Sequence, residues 1–154
     1  GLGDVYKRQM LYIGEKLGTT NGPTLDIAVD PLEGTNFVAN NLPGGLSVIA
    51  VAEKNNLLNA PETYMEKIAV SNIELGTVDL DFSIKKNISN LADAKNKDIS
   101  KITACLLDRP RHQKLINSIR SIGARIKLIA DGDVSAVIAT TFDDSGVDLY
   151  SVRE

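Results

Sequence analysis

An α/β fold, rich in antiparallel sheet in its first half and built on a parallel strand–helix–strand unit in its second, follows from three features of the sequence. Short apolar runs separated by turn residues occupy positions 25–70, the pattern of paired strands. From 102 to 129 the pattern becomes apolar run, amphipathic helix, apolar run, and a helix of about a dozen residues between two strands makes them parallel. The composition, 43% hydrophobic and 24% charged, is that of a globular chain able to bury a core.

Residues 25–29 and 46–52 read as strands, the second apolar enough to be buried on both faces. Asn40, Asn41, Pro43, Gly44 and Gly45 mark the loop between them. Residues 53–56 (EKNN) form a turn, 57–60 a short return, and 64–70 another extended stretch. Ser83 is placed to cap a helix carrying Ile84, Ile88, Leu91 and Ala92 at helical spacing. Residues 102–107 form the next strand. Pro110 suits the first turn of a helix whose apolar face is Leu115, Ile116, Ile119 and Ile122, with Gly123 as its C-terminal cap. Residues 125–129 form the parallel partner strand, with a right-handed crossover, and a short helix through Val134, Val137 and Ile138 follows. Parallel strands end at one sheet edge, so RPRH (109–112) and DGD (131–133) are expected side by side at the carboxyl edge, where open α/β sheets bind ligands.

The first strand runs into Asp30, Pro31, Leu32, Glu33, Gly34 and Thr35. Asp30 and Glu33, three residues apart and leaving the strand through a proline-fixed turn, can converge on a hard cation such as Mg2+ or Mn2+. Gly34 permits close backbone approach to a ligand, and Thr35 offers a hydroxyl to orient a metal-bound water. A solvated Asp-Pro turn is the plainer reading of a bare DPxE, but the full hexapeptide behind an apolar strand favours the metal site. Arg109 and Arg111, flanking Pro110 at a helix start, can grip a phosphate with two guanidinium forks or can be an ordinary solvated pair. Asp131, Gly132 and Asp133 can accept hydrogen bonds from sugar hydroxyls, form a tight turn with Asp133 as N-cap, or do both. Tyr64 is either packing in a strand or a hydroxyl that reaches a ligand. His112, the only histidine, reads as a helix-start side chain that supports its neighbours, and Cys105, the only cysteine, as a buried structural thiol.

Several function classes are excluded or disfavoured. A net charge of −3 without any lysine–arginine run leaves no field for nucleic acid. The longest apolar runs are too short to cross a bilayer and no signal peptide is visible, so a cytoplasmic location without membrane partners is expected. No G-x-G-x-x-G or G-x-x-x-x-G-K-[ST] run supports nucleotide binding.

DPLEGT resembles the DPxD/E-G-T signature of the magnesium-dependent, lithium-sensitive sugar and inositol phosphatases. MLYIGEK (10–16), NAPETYMEK (59–67), DRPRH (108–112) and ADGDV (130–134) occur in order and resemble the class II fructose-1,6-bisphosphatases, from residue 10 to about 150. EGTN (33–36) together with DRPRH is most similar to the cyanobacterial form that also accepts sedoheptulose 1,7-bisphosphate. The resemblance implies a layered sugar-phosphatase fold, a homo-oligomer, and hydrolysis of the 1-phosphate of fructose 1,6-bisphosphate in gluconeogenesis or the Calvin cycle. It implies Mg2+ or Mn2+ on Asp30 and Glu33 and a catalytic Thr35. It places Glu33, Gly34, Thr35, Tyr64, Arg109, Pro110, Arg111, Asp131, Gly132 and Asp133 against the sugar bisphosphate. It also implies a fragment incomplete at both ends. Family members carry an acidic, glycine-rich segment before residue 10, where residues 1–9 (GLGDVYKRQ) read as a non-native extension. They continue into a glycine-rich turn and a further metal-binding glutamate where residues 151–154 (SVRE) do not match, and the fragment alone is expected to be inactive. An inositol monophosphatase-like hydrolase shares DPxD/E-G-T but has no use for a second phosphate clamp, and a non-catalytic phosphosugar-binding module is the remaining alternative.

Overall fold

The computed structural model describes residues 12–19, 21–58 and 63–152. The expectations for residues 1–9, the start of MLYIGEK, residues 59–62 and the last two residues lie outside these. The chain divides into two compact units, Gly1–Ala28 with Ala50–Asn59, and Val29–Ile49 with Ala60–Glu154.

Strands β1 (Leu25–Glu33) and β2 (Leu46–Glu53) pair antiparallel as a two-stranded sheet, and each strand contributes to both units. In the first unit the connection after β2 is tied to β1, because the Asn55 amide donates to Asp26 Oδ2 (2.6 Å). Asn56 N also donates back to Glu53 O (3.1 Å), closing the turn expected there. Two expectations need correction. The strand does not end before a proline turn; it runs on through Asp30 and Pro31 to Glu33. Proline lacks the N–H of a ladder partner, but a two-stranded sheet leaves each strand one edge that needs none. Nor is β2 buried on both faces: Ile49 and Val51 are exposed, since a two-stranded sheet has no inner strand. Leu57 and Leu58 form no strand, so the predicted return is absent among the described residues.

The second unit is built on a four-stranded sheet in the order β3-β6-β4-β5, where β3 is Lys67–Ala69, β4 Thr103–Leu107, β5 Arg125–Ile129 and β6 Leu149–Val152. The parallel unit is present: β4 and β5 run parallel with Thr103 opposite Arg125 and Leu107 opposite Ile129. β6 lies parallel to β4 on its other side, and β3 closes the edge antiparallel, with Lys67 opposite Val152 and Ala69 opposite Tyr150. The extended stretch expected over 64–70 is therefore a three-residue strand, and it belongs to this sheet, not to one with β1 and β2.

Alternation along the strands separates two cores. Ala104, Leu106 and Leu149 face one layer, where Ile88 and Leu91 of α2 (Ile84–Ala94) and Leu115, Ile116 and Ile119 of α3 (Gln113–Ile122) pack. Cys105, Leu107, Tyr150 and Val152 face the other, under Ala136 of α4 (Asp133–Ala139). A short helix α1 (Thr35–Ala39) follows β1. Ser83 caps α2 as expected, its hydroxyl accepting from Lys86 N (3.2 Å). Gly123 ends α3 with φ 87°, which its missing Cβ permits. Pro110–His112 is a single 3-10 turn, so the α-helix starts at Gln113 and not at the proline.

Candidate active site at the carboxyl edge of the parallel strands

β4 and β5 end together, and the Asp108 amide bonds to Ile129 O (2.8 Å), tying the segments that leave both strands. RPRH and DGD are thereby brought to one place, as the topology predicted. A cavity of about 370 Å3 opens there, lined by Arg109 and Arg111 from the first segment and Asp131 and Asp133 from the second. Glu33 at the end of β1, Tyr64, and Lys67 from β3 complete its polar wall, while Met65, Leu107, Val134 and Val152 give it an apolar lining. The Arg111 guanidinium carbon lies 5.3 Å from the centre of the exposed Tyr64 ring, a cation–π contact.

The DPLEGT segment is fastened to the DGD turn by three contacts within the second unit. Val134 N donates to Glu33 Oε1 (3.2 Å), and Asn36 N donates to Asp131 Oδ2 (3.1 Å). Between them the Phe37 ring fills the space above two glycines: a Cβ on Gly34 or Gly132 would fall 2.8 or 2.9 Å from a ring carbon. Both glycines also have positive φ, 77° and 90°, so their lack of a side chain serves backbone and packing together. Local patterning gave no sign of Phe37. Asn36 stood in the EGTN string, but its use of a backbone amide cannot be read from side-chain identity.

Burial raises the pKa of Glu33, and the Val134 amide opposes that rise, while the charges of Asp30 and Asp133 add to it. The repelling charges of Asp30 and Glu33 are what a divalent cation relieves, so the pair fits a hard metal ion. Among the described residues no group of three or more His, Cys, Asp or Glu converges on one point. Asp30 Oδ1 meanwhile accepts from Leu32 N (3.1 Å), two residues further along the strand.

Not every expected residue reaches the cavity. Asp30, Gly34, Thr35, Pro110 and Gly132 do not line it; Thr35 is the exposed first residue of α1. Asp133 is not the N-cap of α4, a position taken by Gly132. Its carboxylate instead pairs with Lys67 Nζ at 2.8 Å. His112 is fully buried, with Nδ1 donating to Leu107 O (2.9 Å), which fits its expected supporting role. Cys105 is buried, and burial pushes its thiol up, away from nucleophilic character. Lys67, inside the NAPETYMEK string, is the wall residue that sequence reasoning missed.

A family profile described as "Bacterial fructose-1,6-bisphosphatase, glpX-encoded" matches residues 1–152. The chain belongs to this family. The matched span includes residues 1–9, and 151 and 152. Fructose-1,6-bisphosphatase 1 class 2 of Escherichia coli strain K12 is 44% identical over 153 residues, covering 99% of this chain and 46% of that protein. D-fructose 1,6-bisphosphatase class 2/sedoheptulose 1,7-bisphosphatase of Prochlorococcus marinus strain MIT 9301 is 44% identical over 146 residues, 95% of this chain and 44% of its own length. The chain thus spans less than half of these curated relatives. The cavity sets the carboxylates of Glu33, Asp131 and Asp133 and the guanidinium groups of Arg109 and Arg111 around one space. No described helix is long and apolar enough to cross a membrane.

Proposed function

We propose that the full-length protein carrying this chain hydrolyses the 1-phosphate of fructose 1,6-bisphosphate, and that sedoheptulose 1,7-bisphosphate is a second substrate. The carrying observation is the cavity in which Glu33, beside Asp30, shares walls with Arg109, Arg111, Asp131 and Asp133. Arg109 and Arg111 grip the distal phosphate, and Asp131 and Asp133 accept hydrogen bonds from sugar hydroxyls. Binding energy spent far from the reacting bond so fixes the scissile phosphate near Glu33. Thr35, one residue beyond Gly34, orients the attacking water through its hydroxyl. Asp30 and Glu33 hold Mg2+ or Mn2+, which supplies neutralising charge to the phosphoryl oxygens. The DPLEGT string supports placement in the lithium-sensitive superfamily, and the same reading carries a cytoplasmic homo-oligomer.

Phosphate release from fructose 1,6-bisphosphate tests this in the full-length protein. Turnover requires Mg2+ or Mn2+, and Asp30→Asn or Glu33→Gln raises the half-saturating metal concentration by about tenfold or more. Unchanged metal dependence in both variants would refute the assignment.

A further inference from the structure

Lys67 and Tyr150 sit on the same sheet face. Lys67 pairs with Val152 across the β3–β6 ladder, and Tyr150, two residues before Val152, points the same way. That face is covered by α4, whose first residue is Asp133. Lys67 Nζ reaches Asp133 Oδ2 at 2.8 Å from the cavity side. The Tyr150 side chain is fully buried, and its hydroxyl makes no well-formed hydrogen bond. Burial raises the Tyr150 pKa far above its ordinary value, and the Asp133 charge raises it further.

We propose that Lys67 is a positioning residue that holds the Asp133 carboxylate, so that it meets the hydroxyls of a phosphorylated sugar in one orientation. This deepens the phosphosugar reading of the cavity and rests on it. Lys67 acts through Asp133; the phosphate is left to Arg109 and Arg111. The consequence is a separation between two probes. Fructose 1,6-bisphosphate uses Asp133, whereas inorganic phosphate offers only the anion.

Calorimetric binding of both probes to the full-length protein and to Lys67→Met and Lys67→Arg tests the proposal, with thermal melts to confirm that each variant folds. In Lys67→Met, fructose 1,6-bisphosphate binding weakens about tenfold, a charge-assisted bond discounted for partial exposure. Inorganic phosphate binding stays unchanged, and Lys67→Arg restores the bisphosphate affinity. Equal losses for the two probes would make Lys67 a direct anion ligand and overturn the proposal, as would no loss in Lys67→Met. Should the wild-type protein bind neither probe, the phosphosugar reading fails by itself. Hydrogen exchange at the Asp133 and Val134 amides then decides the positioning claim: faster exchange in Lys67→Met but not in Lys67→Arg sustains it, and unaltered exchange in both sinks it.

Discussion

Two regions of this molecule are equally apolar in sequence and very different in structure. In the unit built on the four-stranded sheet, Leu106 of β4 and Ile119 of α3 are 0% exposed, packed where the strand layer meets the helix layer. In the β1–β2 hairpin, Ile27, Ile49 and Val51 are 51%, 66% and 53% exposed. The strands themselves form in both, because β-branched residues in short runs satisfy the pleated backbone wherever a partner strand pairs. What differs is cover. A sheet with helices on both faces turns apolar runs into a core, whereas a two-stranded ribbon offers each side chain only its cross-strand neighbours.

The comparison breaks if the two regions contribute alike to stability. Ile119→Ala, in the closed core, removes a fully buried side chain and should cost about 2–5 kcal/mol. Ile49→Ala, on the open ribbon, should cost about 0.5 kcal/mol or less. Urea denaturation of the two variants measures both, and similar midpoint shifts would show that the hairpin is covered in solution by something beyond the described residues.

A smaller effect comes from two aspartates that do the same job in the two regions. Asp148 accepts from Thr103 N (3.0 Å) inside the sheet and is flanked by Lys97 Nζ (2.8 Å) and Lys95 Nζ (3.3 Å). Asp26 accepts from Asn55 N on the solvated hairpin. Burial pushes the Asp148 carboxyl up, but Lys97, the Thr103 amide and Lys95 together outweigh it and hold it below its ordinary pKa. A depressed folded pKa means that the contribution is complete above the unfolded value near 3.8 and is lost as pH falls through the folded value. Asp148→Asn should therefore cost about 2 kcal/mol at pH 7 and progressively less below pH 4 or so. Asp26→Asn should cost about 0.5 kcal/mol. Denaturation midpoints at pH 7 and pH 3 check this; a loss in Asp148→Asn that is independent of pH would mean that packing, not charge, carries its effect.

How far the sequence was legible divides along the same line. From 102 onward the periods are unambiguous: Leu115, Ile116 and Ile119 repeat at helical spacing between two apolar runs, and the parallel pairing with its shared carboxyl edge follows from chain geometry. That is why the shared edge of Arg109, Arg111, Asp131 and Asp133 is legible in the sequence. The burial of β2 was misjudged, because an apolar run encodes a wish for cover but not who supplies it. The start of α3 was set three residues early, since a 3-10 turn and a helix start share proline chemistry. Lys67 and Phe37 were missed for a third reason: each acts across about 66 or 95 residues of chain, on Asp133 and on the glycine beside it, and local spacing carries no trace of such a contact.

The finest test compares helix starts. The helix α2 begins at Ser83, whose hydroxyl accepts from Lys86 N, and behind that cap Ile88 and Leu91 enter the closed core. The helix α1 begins after Gly34, which supplies no side-chain cap, and it buries none of its residues fully. Ser83→Ala leaves one amide of the first turn without its partner and should cost about 1 kcal/mol. Because α2 packs on the sheet, that loss should appear in the global unfolding of the second unit. Thr35→Ala, at the exposed first position of α1, removes no capping bond and should shift the same transition by less than about 0.5 kcal/mol. Thermal melts resolve the difference, about 1 kcal/mol corresponding to a few degrees for a chain of this size. A Thr35→Ala loss as large as that of Ser83→Ala would show that the Thr35 hydroxyl is a structural anchor, and would remove it from the role of orienting the attacking water.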